Sequence, residues 1–425
     1  MQLYHYPSPG QWTEILKRPA ADVAALYTTV EPIMQAVRTG GDAAVQKYTA
    51  DFDQVQIAAL QVTDEEITDA VAQTPQVLKE AIMLAAKNIS AFHKAQVKDT
   101  LHVETMPGVS CQYKSVPLEK VGLYIPGGTA PLFSTILMLA LPAKIAGCHE
   151  VILCTPPAKD GQINATILYT AHLCGIHKIY KVGGAQAIAA LCFGTETIPA
   201  VHKIFGPGNA YVTAAKQLAQ QYGIAIDMPA GPSEVCVLAD DTANAKFVAA
   251  DLLSQAEHGK DSQVVLITTH EELLHEVQKE IEHQMSVLPR ADIIVQALQH
   301  SKAILVNSLA QGIEMANAYA AEHLIICCKN EDDIAVQIHH AGSIFLGNYS
   351  PESAGDYASG TNHTLPTNGY ARMYSGVNLD SFMKKISIQK ISQSGLSVLG
   401  HAIITMAEAE GLSAHAAAVK IRLEK

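Results

Sequence analysis

Between residues 12 and 100 apolar positions recur at threes and fours, the period of helices that bury one face. Residues 12–16, 23–26 and 30–48 carry the pattern, and Gly40 with Gly41 marks a break. Thr63 and Glu66 have the spacing of a capping box that opens a further helix. The helical region is expected to end near Lys98, and residues 101–118 alternate in the manner of strands. From Val121 the texture becomes strand, glycine-bearing turn and helix, repeated. Residues 121–125, 151–154, 178–182 and 202–205 read as strands, and 132–147, 165–174, 187–193 and 210–222 as helices. This alternation predicts an α/β protein with a parallel sheet covered on both faces. Residues 227–234 hold two prolines and a glycine, a crossing segment back to the first domain. Strands at 235–238, 263–268, 303–306 and 343–346 follow, with helices at 271–285 and 309–319. Residues 347–363 read as a long polar loop, which in a compact domain is usually functional. After residue 380 the chain is expected to be mostly helical, with a final helix over 414–423.

Composition narrows the class. A chain of 425 residues suffices for two or three domains, and 48% hydrophobic with 16% charged residues describes a compact soluble protein. A formal charge of −12 argues against nucleic acid or an anionic membrane as the main partner. Residues 1–10 lack the basic and apolar regions of a secretory signal. The most apolar run, 131–148, contains Pro142 and Lys144 and is too short for a membrane span. Eight cysteines without a C-x-x-C spacing fit free thiols in a reducing compartment. The expectation is a cytoplasmic globular protein.

Candidate chemistry is scattered along this frame. Gln255 and His258, three apart at the end of a helix closed by Gly259, leave the same face and could be two ligands of a divalent metal; a solvated helix end is the alternative. Glu322 and His323 are adjacent, between a helix and an apolar strand, and could serve one pocket as proton-transfer groups; an ordinary helix terminus looks the same. Asp356, in the polar loop, suits either a metal-binding carboxylate or a turn-forming aspartate. Glu410 and His415 flank a glycine near the C-terminus, where a surface histidine in a first helical turn is the plainer reading. Three glycine-bearing loops, 126–131, 183–187 and 206–209, end strands where open α/β sheets bind ligands, and helix N-termini favour phosphate. None is a G-x-G-x-x-G. Cysteine nucleophiles have no evident activating partner, and the thiols fit buried apolar positions better.

Taken together, the stretches at 121–128, 182–188, 205–209, 227–234, 251–258, 321–324, 353–357 and 410–415 closely resemble histidinol dehydrogenase, in order and over most of the chain from about residue 30. The resemblance implies two incomplete Rossmann-like α/β domains, one inserted in the other, with small N- and C-terminal extensions. The corresponding division is 1–25, 26–120 with 235–378, 121–234, and a C-terminal helical segment over 379–425. It implies oxidation of L-histidinol to L-histidine through bound L-histidinal with two NAD+, the last step of histidine biosynthesis. It implies one Zn2+ per subunit on Gln255, His258, Asp356 and His415. Glu322 and His323 are then the acid–base pair, Ser233 and Glu410 further substrate contacts, and Tyr124, Gln186 and Asn209 the NAD contacts. The role of His363 is left open. A homodimer is implied, in which the C-terminal segment reaches the partner's site. An amino-alcohol dehydrogenase of the same fold acting on another substrate, and a non-catalytic regulator, are the rival readings; a regulator should have lost a ligand or the Glu322–His323 pair, and all are present.

Overall fold

Strands buried on both faces need almost unbroken apolar sequence, and the two runs 234–239 and 263–268 are buried at every position. They lie at the heart of the larger sheet in the computed structural model, which describes residues 1–19, 24–127 and 131–424. Val23, in the second helical stretch expected from the sequence, and the middle of the 126–131 loop lie outside the described residues. The described residues divide into two compact units, one of 1–95 with 119–382 and one of 96–118 with 383–425.

In chain order the strands are β1 (Gln2–His5), β2 (Leu101–Met106), β3 (Val109–Pro117), β4 (Lys120–Tyr124), β5 (Glu150–Thr155), β6 (Lys178–Lys181), β7 (Lys203–Phe205) and β8 (Ala225–Ile226). There follow β9 (Glu234–Ala239), β10 (Gln263–Thr268), β11 (Lys302–Leu305), β12 (His323–Cys327), β13 (Ser343–Leu346) and β14 (Met383–Ile391).

Within the first unit two parallel sheets run β6-β5-β4-β7-β8 and β1-β11-β10-β9-β12-β13. Each contains the order 3-2-1-4-5 of a Rossmann sheet, counted from its own first strand, without the sixth strand. This is the incomplete Rossmann-like architecture expected. The topological switch points therefore fall between β4 and β7 in one sheet and between β9 and β12 in the other. β1 adds an edge strand beside β11 that the sequence pattern did not disclose.

Helix Tyr27–Asp53, interrupted at Gly41 where φ is 53°, places Val30, Ile33, Met34 and Val37 in the same core as Ile188, Val212 and Leu218 of the five-stranded sheet's helices. The capping box at Thr63 and Glu66 is present in both directions. Residues 347–363 are not all loop. Pro351 caps a short helix, Glu352–Tyr357, which packs on helix Ala245–Ala256. In the second unit β14 pairs antiparallel with β3, and β3 with β2, ahead of helices Gln393–Ala409 and Ser413–Leu423. The C-terminal segment is mostly helical, as expected, and the strand at 383–391 is an addition to that expectation. No helix among the described residues is long and apolar enough to cross a membrane.

Candidate active site and nucleotide cavity

Helices in an open α/β sheet run antiparallel to their strands, so the C-terminus of helix Ala245–Ala256 lies at the edge where β9 and β12 begin. Asn244 caps its start through the backbone N–H of Lys246 and Phe247. At its other end Gln255 is buried, and His258 follows just past the C-cap residue Glu257. In the orientation that satisfies both of its atoms, the Gln255 amide accepts from the Glu234 N–H at 3.1 Å and donates to the Glu352 carboxylate at 3.0 Å. His258, Glu352 and Asp356 bring one ligand atom each to within 4.8 Å of one another. Glu352 and Asp356 are four apart on one short helix and so share a face.

Glu322 and His323 enter from β12. Glu322 accepts from the Glu234 N–H at 3.0 Å, and His323 Nδ1 lies 3.3 Å from the Glu234 carbonyl. His323 Nε2 points at Asp356 Oδ1 from 3.5 Å and has no hydrogen-bond partner among the described residues. Both side chains are buried. Burial raises the Glu322 carboxyl to about 8, with His323 and the Glu234 N–H opposing. For His323 burial acts against the charged form, but Glu322, Asp356 and Glu352 outweigh it and push the imidazole up to about 10. Burial likewise raises Asp356, yet His323, His363 and His258 hold it below its ordinary value. Several buried carboxylates with three imidazoles, and neither lysine nor arginine in the metal-ligating group, form a donor set that fits a divalent cation.

His363 has both ring nitrogens engaged. Nδ1–H donates to the Asp356 carbonyl at 2.8 Å, and Nε2 accepts from the Thr135 hydroxyl at 3.1 Å. Thr135 stands in the first turn of helix Phe133–Ala146, which follows β4. His363 therefore ties helix Glu352–Tyr357 to the C-terminal edge of the other sheet. Asn362 adds a second tie, donating to the Met138 carbonyl at 2.6 Å.

At that edge a cavity of about 770 Å³ is lined by Tyr124, Gln186 and Asn209 together with Pro126, Gly127 and Asp53. Tyr124 ends β4, and its hydroxyl accepts from the Gly184 N–H at 3.1 Å; burial pushes the phenol up to about 12. Asn209 caps helix Ala210–Gln221 through the Val212 N–H at 3.1 Å. Gly206 has φ 125°, and a Cβ there would lie 2.0 Å from the Tyr124 carbonyl oxygen. The glycine is thus required where β4 and β7 part at the switch point. Thr155 Oγ1, Gln186 Oε1 and Asp53 Oδ2 are buried without a hydrogen-bond partner among the described residues, and all three residues line this cavity. Orphaned polar atoms gathered in one cavity mark a place shaped for a polar ligand.

Ser233 directly precedes β9, one residue from the Glu234 backbone that serves both Glu322 and His323. Glu410 and His415 belong to the second unit, between and at the start of its two helices, and both are exposed. Sequence reasoning missed Glu352, although its spacing to Asp356 was the available signal, and it missed Asp53, which looks like any charged helix end. It also missed Arg18, whose guanidinium grips Glu234 at 2.6 and 2.8 Å and so holds the backbone on which the pair depends. The cysteines stay outside the cluster, and burial pushes the thiols of Cys236, Cys327 and Cys328 up to about 12.

Hydride removal from a carbon that bears oxygen needs a base for the proton and a seat for a nicotinamide. A candidate for the first sits at the edge where β9 and β12 begin and a cavity suited to the second where β4 and β7 end, and the class that such a pairing fits is a nucleotide-linked α/β oxidoreductase. The family model for histidinol dehydrogenase matches residues 16–423. Histidinol dehydrogenase of Bacteroides fragilis is 59% identical over 425 residues, covering 100% of this chain and 99% of the relative. That of Salmonella typhimurium is 52% identical over 98% of this chain and 96% of the relative. The crystal structure of histidinol dehydrogenase from Elizabethkingia anophelis superposes with a TM-score of 0.98 at 53% identity, over 100% of this chain and 98% of that one. The chain belongs to the histidinol dehydrogenase family. An acetylating aldehyde dehydrogenase from Geobacillus thermoglucosidasius, at 14% identity and a TM-score of 0.50, shares the fold alone.

Proposed function

We propose that this chain oxidises L-histidinol to L-histidine through bound L-histidinal, with two NAD+ as hydride acceptors. The balance is one alcohol, one water and two NAD+ giving one carboxylate, two NADH and three protons. The observation that carries the reading is the buried Glu322–His323 pair standing against the His258–Glu352–Asp356 group. Zinc would be held by Gln255, His258, Asp356 and His415 of the partner subunit and would supply an anchor for the substrate and a positive charge among the carboxylates. In its neutral form, which such a charge would favour, His323 takes the hydroxyl proton in the first oxidation. Glu322 then removes a proton from the water that adds to the aldehyde. Its Oε2 is engaged by the Glu234 N–H, which leaves Oε1 for the water. His323 takes the hydroxyl proton of the resulting gem-diol in the second oxidation. Ser233 and Glu410 hold the substrate's polar ends, and Tyr124, Gln186 and Asn209 line the NAD+ seat. His363 positions Asp356 rather than exchanging protons, because both its nitrogens are already bonded.

The working form is a homodimer whose sites are shared. Exposed apolar side chains on the second unit, including Val398, Met406, Leu412 and Ile421, support a surface that an assembly covers. NADH yield per L-histidinol, before and after chelation and zinc return, tests the chemistry. Two NADH per alcohol, lost on chelation and recovered with zinc, is the expected result. One NADH with free aldehyde released would remove Glu322 as the water-activating base, and turnover indifferent to chelation would remove the zinc.

A further inference from the structure

The cavity holds a carboxylate to which nothing above gives a role. Asp53 is the last residue of helix Tyr27–Asp53, and its Oδ2 is buried without a hydrogen-bond partner among the described residues. Both features cost stability. A helix C-terminus carries partial negative charge and disfavours an anion, and a buried acceptor left unpaired forgoes its hydration. Burial alone raises this carboxyl above its ordinary value. A residue that costs the empty protein this much needs a compensating partner, and the space it borders is the nucleotide cavity.

The lining chemistry identifies that partner. No lysine or arginine is among the described residues around the cavity, so no cationic side chain there pairs with Asp53 or with an added 2′-phosphate. A vicinal diol fits: two hydroxyl donors satisfy one carboxylate without importing charge. The wall formed by Pro126, Gly127 and Pro131 leads into helix Phe133–Ala146, whose Thr135 binds His363 beside the reacting residues. The nicotinamide belongs on that side. The adenosine half is left to the rest of the lining, to which Thr29, Ile33, Phe52 and Asp53 belong.

We infer that Asp53 accepts the hydroxyls of the adenosine ribose and selects NAD+ against NADP+, whose 2′-phosphate would meet an uncompensated carboxylate. The inference rests on the NAD-linked function proposed above. It is tested by direct binding, in the absence of histidinol. NADH and NADPH are titrated by fluorescence into the intact zinc-loaded protein and into its Asp53→Asn and Asp53→Ala variants, and nucleotide-free Tm is recorded for each.

The wild-type protein is expected to bind NADH about 100-fold or more tightly than NADPH. Asp53→Asn should weaken NADH roughly 10- to 100-fold, strengthen NADPH relative to it, and raise the nucleotide-free Tm. The alanine variant should show the same direction for both nucleotides, so a folding defect peculiar to one variant cannot imitate the result. Unchanged NADH and NADPH affinities in well-folded variants would overturn the assignment of Asp53 and leave the dehydrogenase reading standing. A wild-type protein that binds neither nucleotide would overturn the cavity's role and Asp53's with it.

Discussion

Asp251 shows how much a single buried carboxyl can shape the pH response of this fold. It sits on helix Ala245–Ala256, 8% exposed, and burial raises its carboxyl to about 7, with the Glu352 backbone opposing. Between about pH 4 and pH 7 the folded chain keeps a proton that the unfolded chain has lost. The folded state binds more protons there, so stability falls as pH rises through that window, and the full cost is present above pH 7. Asp251→Asn removes the cost. In chelator, to keep metal out of the comparison, the variant should be more stable than wild type at pH 8 by about 4 kcal/mol at most, with the gain gone by about pH 4. Urea unfolding at the two pH values measures this, and equal midpoints at pH 8 would show the carboxyl to be solvated or paired. The residue was not visible as special in the sequence, because an aspartate in a helix is ordinarily solvent-facing. Gln255 and His258 were easier to single out, since a three-residue spacing at a helix end puts both on one side.

At the level of elements, Asn209 does two jobs that one substitution series separates. As an N-cap it satisfies the Val212 N–H and starts helix Ala210–Gln221; as a cavity residue it stands beside Tyr124 and Gln186. Asn209→Ala should cost about 1 kcal/mol of stability, whereas Asn209→Ser retains a capping oxygen and most of that stability. Both shorten the side chain facing the cavity, so both should weaken NADH. A serine variant with wild-type NADH affinity would reduce Asn209 to a cap. Elements of this kind were legible beforehand where burial is two-sided. The apolar runs of β5, β9 and β10, each followed by a polar turn and a helix, leave little choice of structure. β1 and β14 escaped because they are largely exposed and owe their conformation to partners about 300 and 270 residues away, β11 and β3. Helix Glu352–Tyr357 escaped because its two site residues, Glu352 and Asp356, are polar side chains held inward by chemistry rather than by hydrophobic periodicity.

For the whole molecule, the proposed reaction draws on opposite edges of the two sheets. The five-stranded sheet uses the C-terminal ends of its strands, the usual place for ligands in an open α/β sheet, while the six-stranded sheet uses the N-terminal ends of β9 and β12. His363 and Asn362 fasten the segment that carries Asp356 to helix Phe133–Ala146, so the candidate site and the cavity edge are joined by two side-chain hydrogen bonds. The group formed by Gln255, His258, Glu352 and Asp356 is buried on its inner side, whereas His258 remains exposed. An exposed ligand is where a further protein group can enter, and the shared-site reading assigns that entry to His415 of the partner subunit. Complementation tests it without relying on either variant being active. His323→Asn and His415→Asn proteins, each separately inactive, are mixed one to one and taken through mild dissociation and reassociation. Half of the dimers then become hybrids. If sites are shared, each hybrid has one site with both lesions and one with neither, and activity should return to about a quarter of the wild-type value. If each site is built within one chain, every site in every dimer carries one lesion. Hybrids isolated by two different affinity tags and still inactive would then place His415 outside the partner's site and return the metal's fourth protein ligand to the same chain.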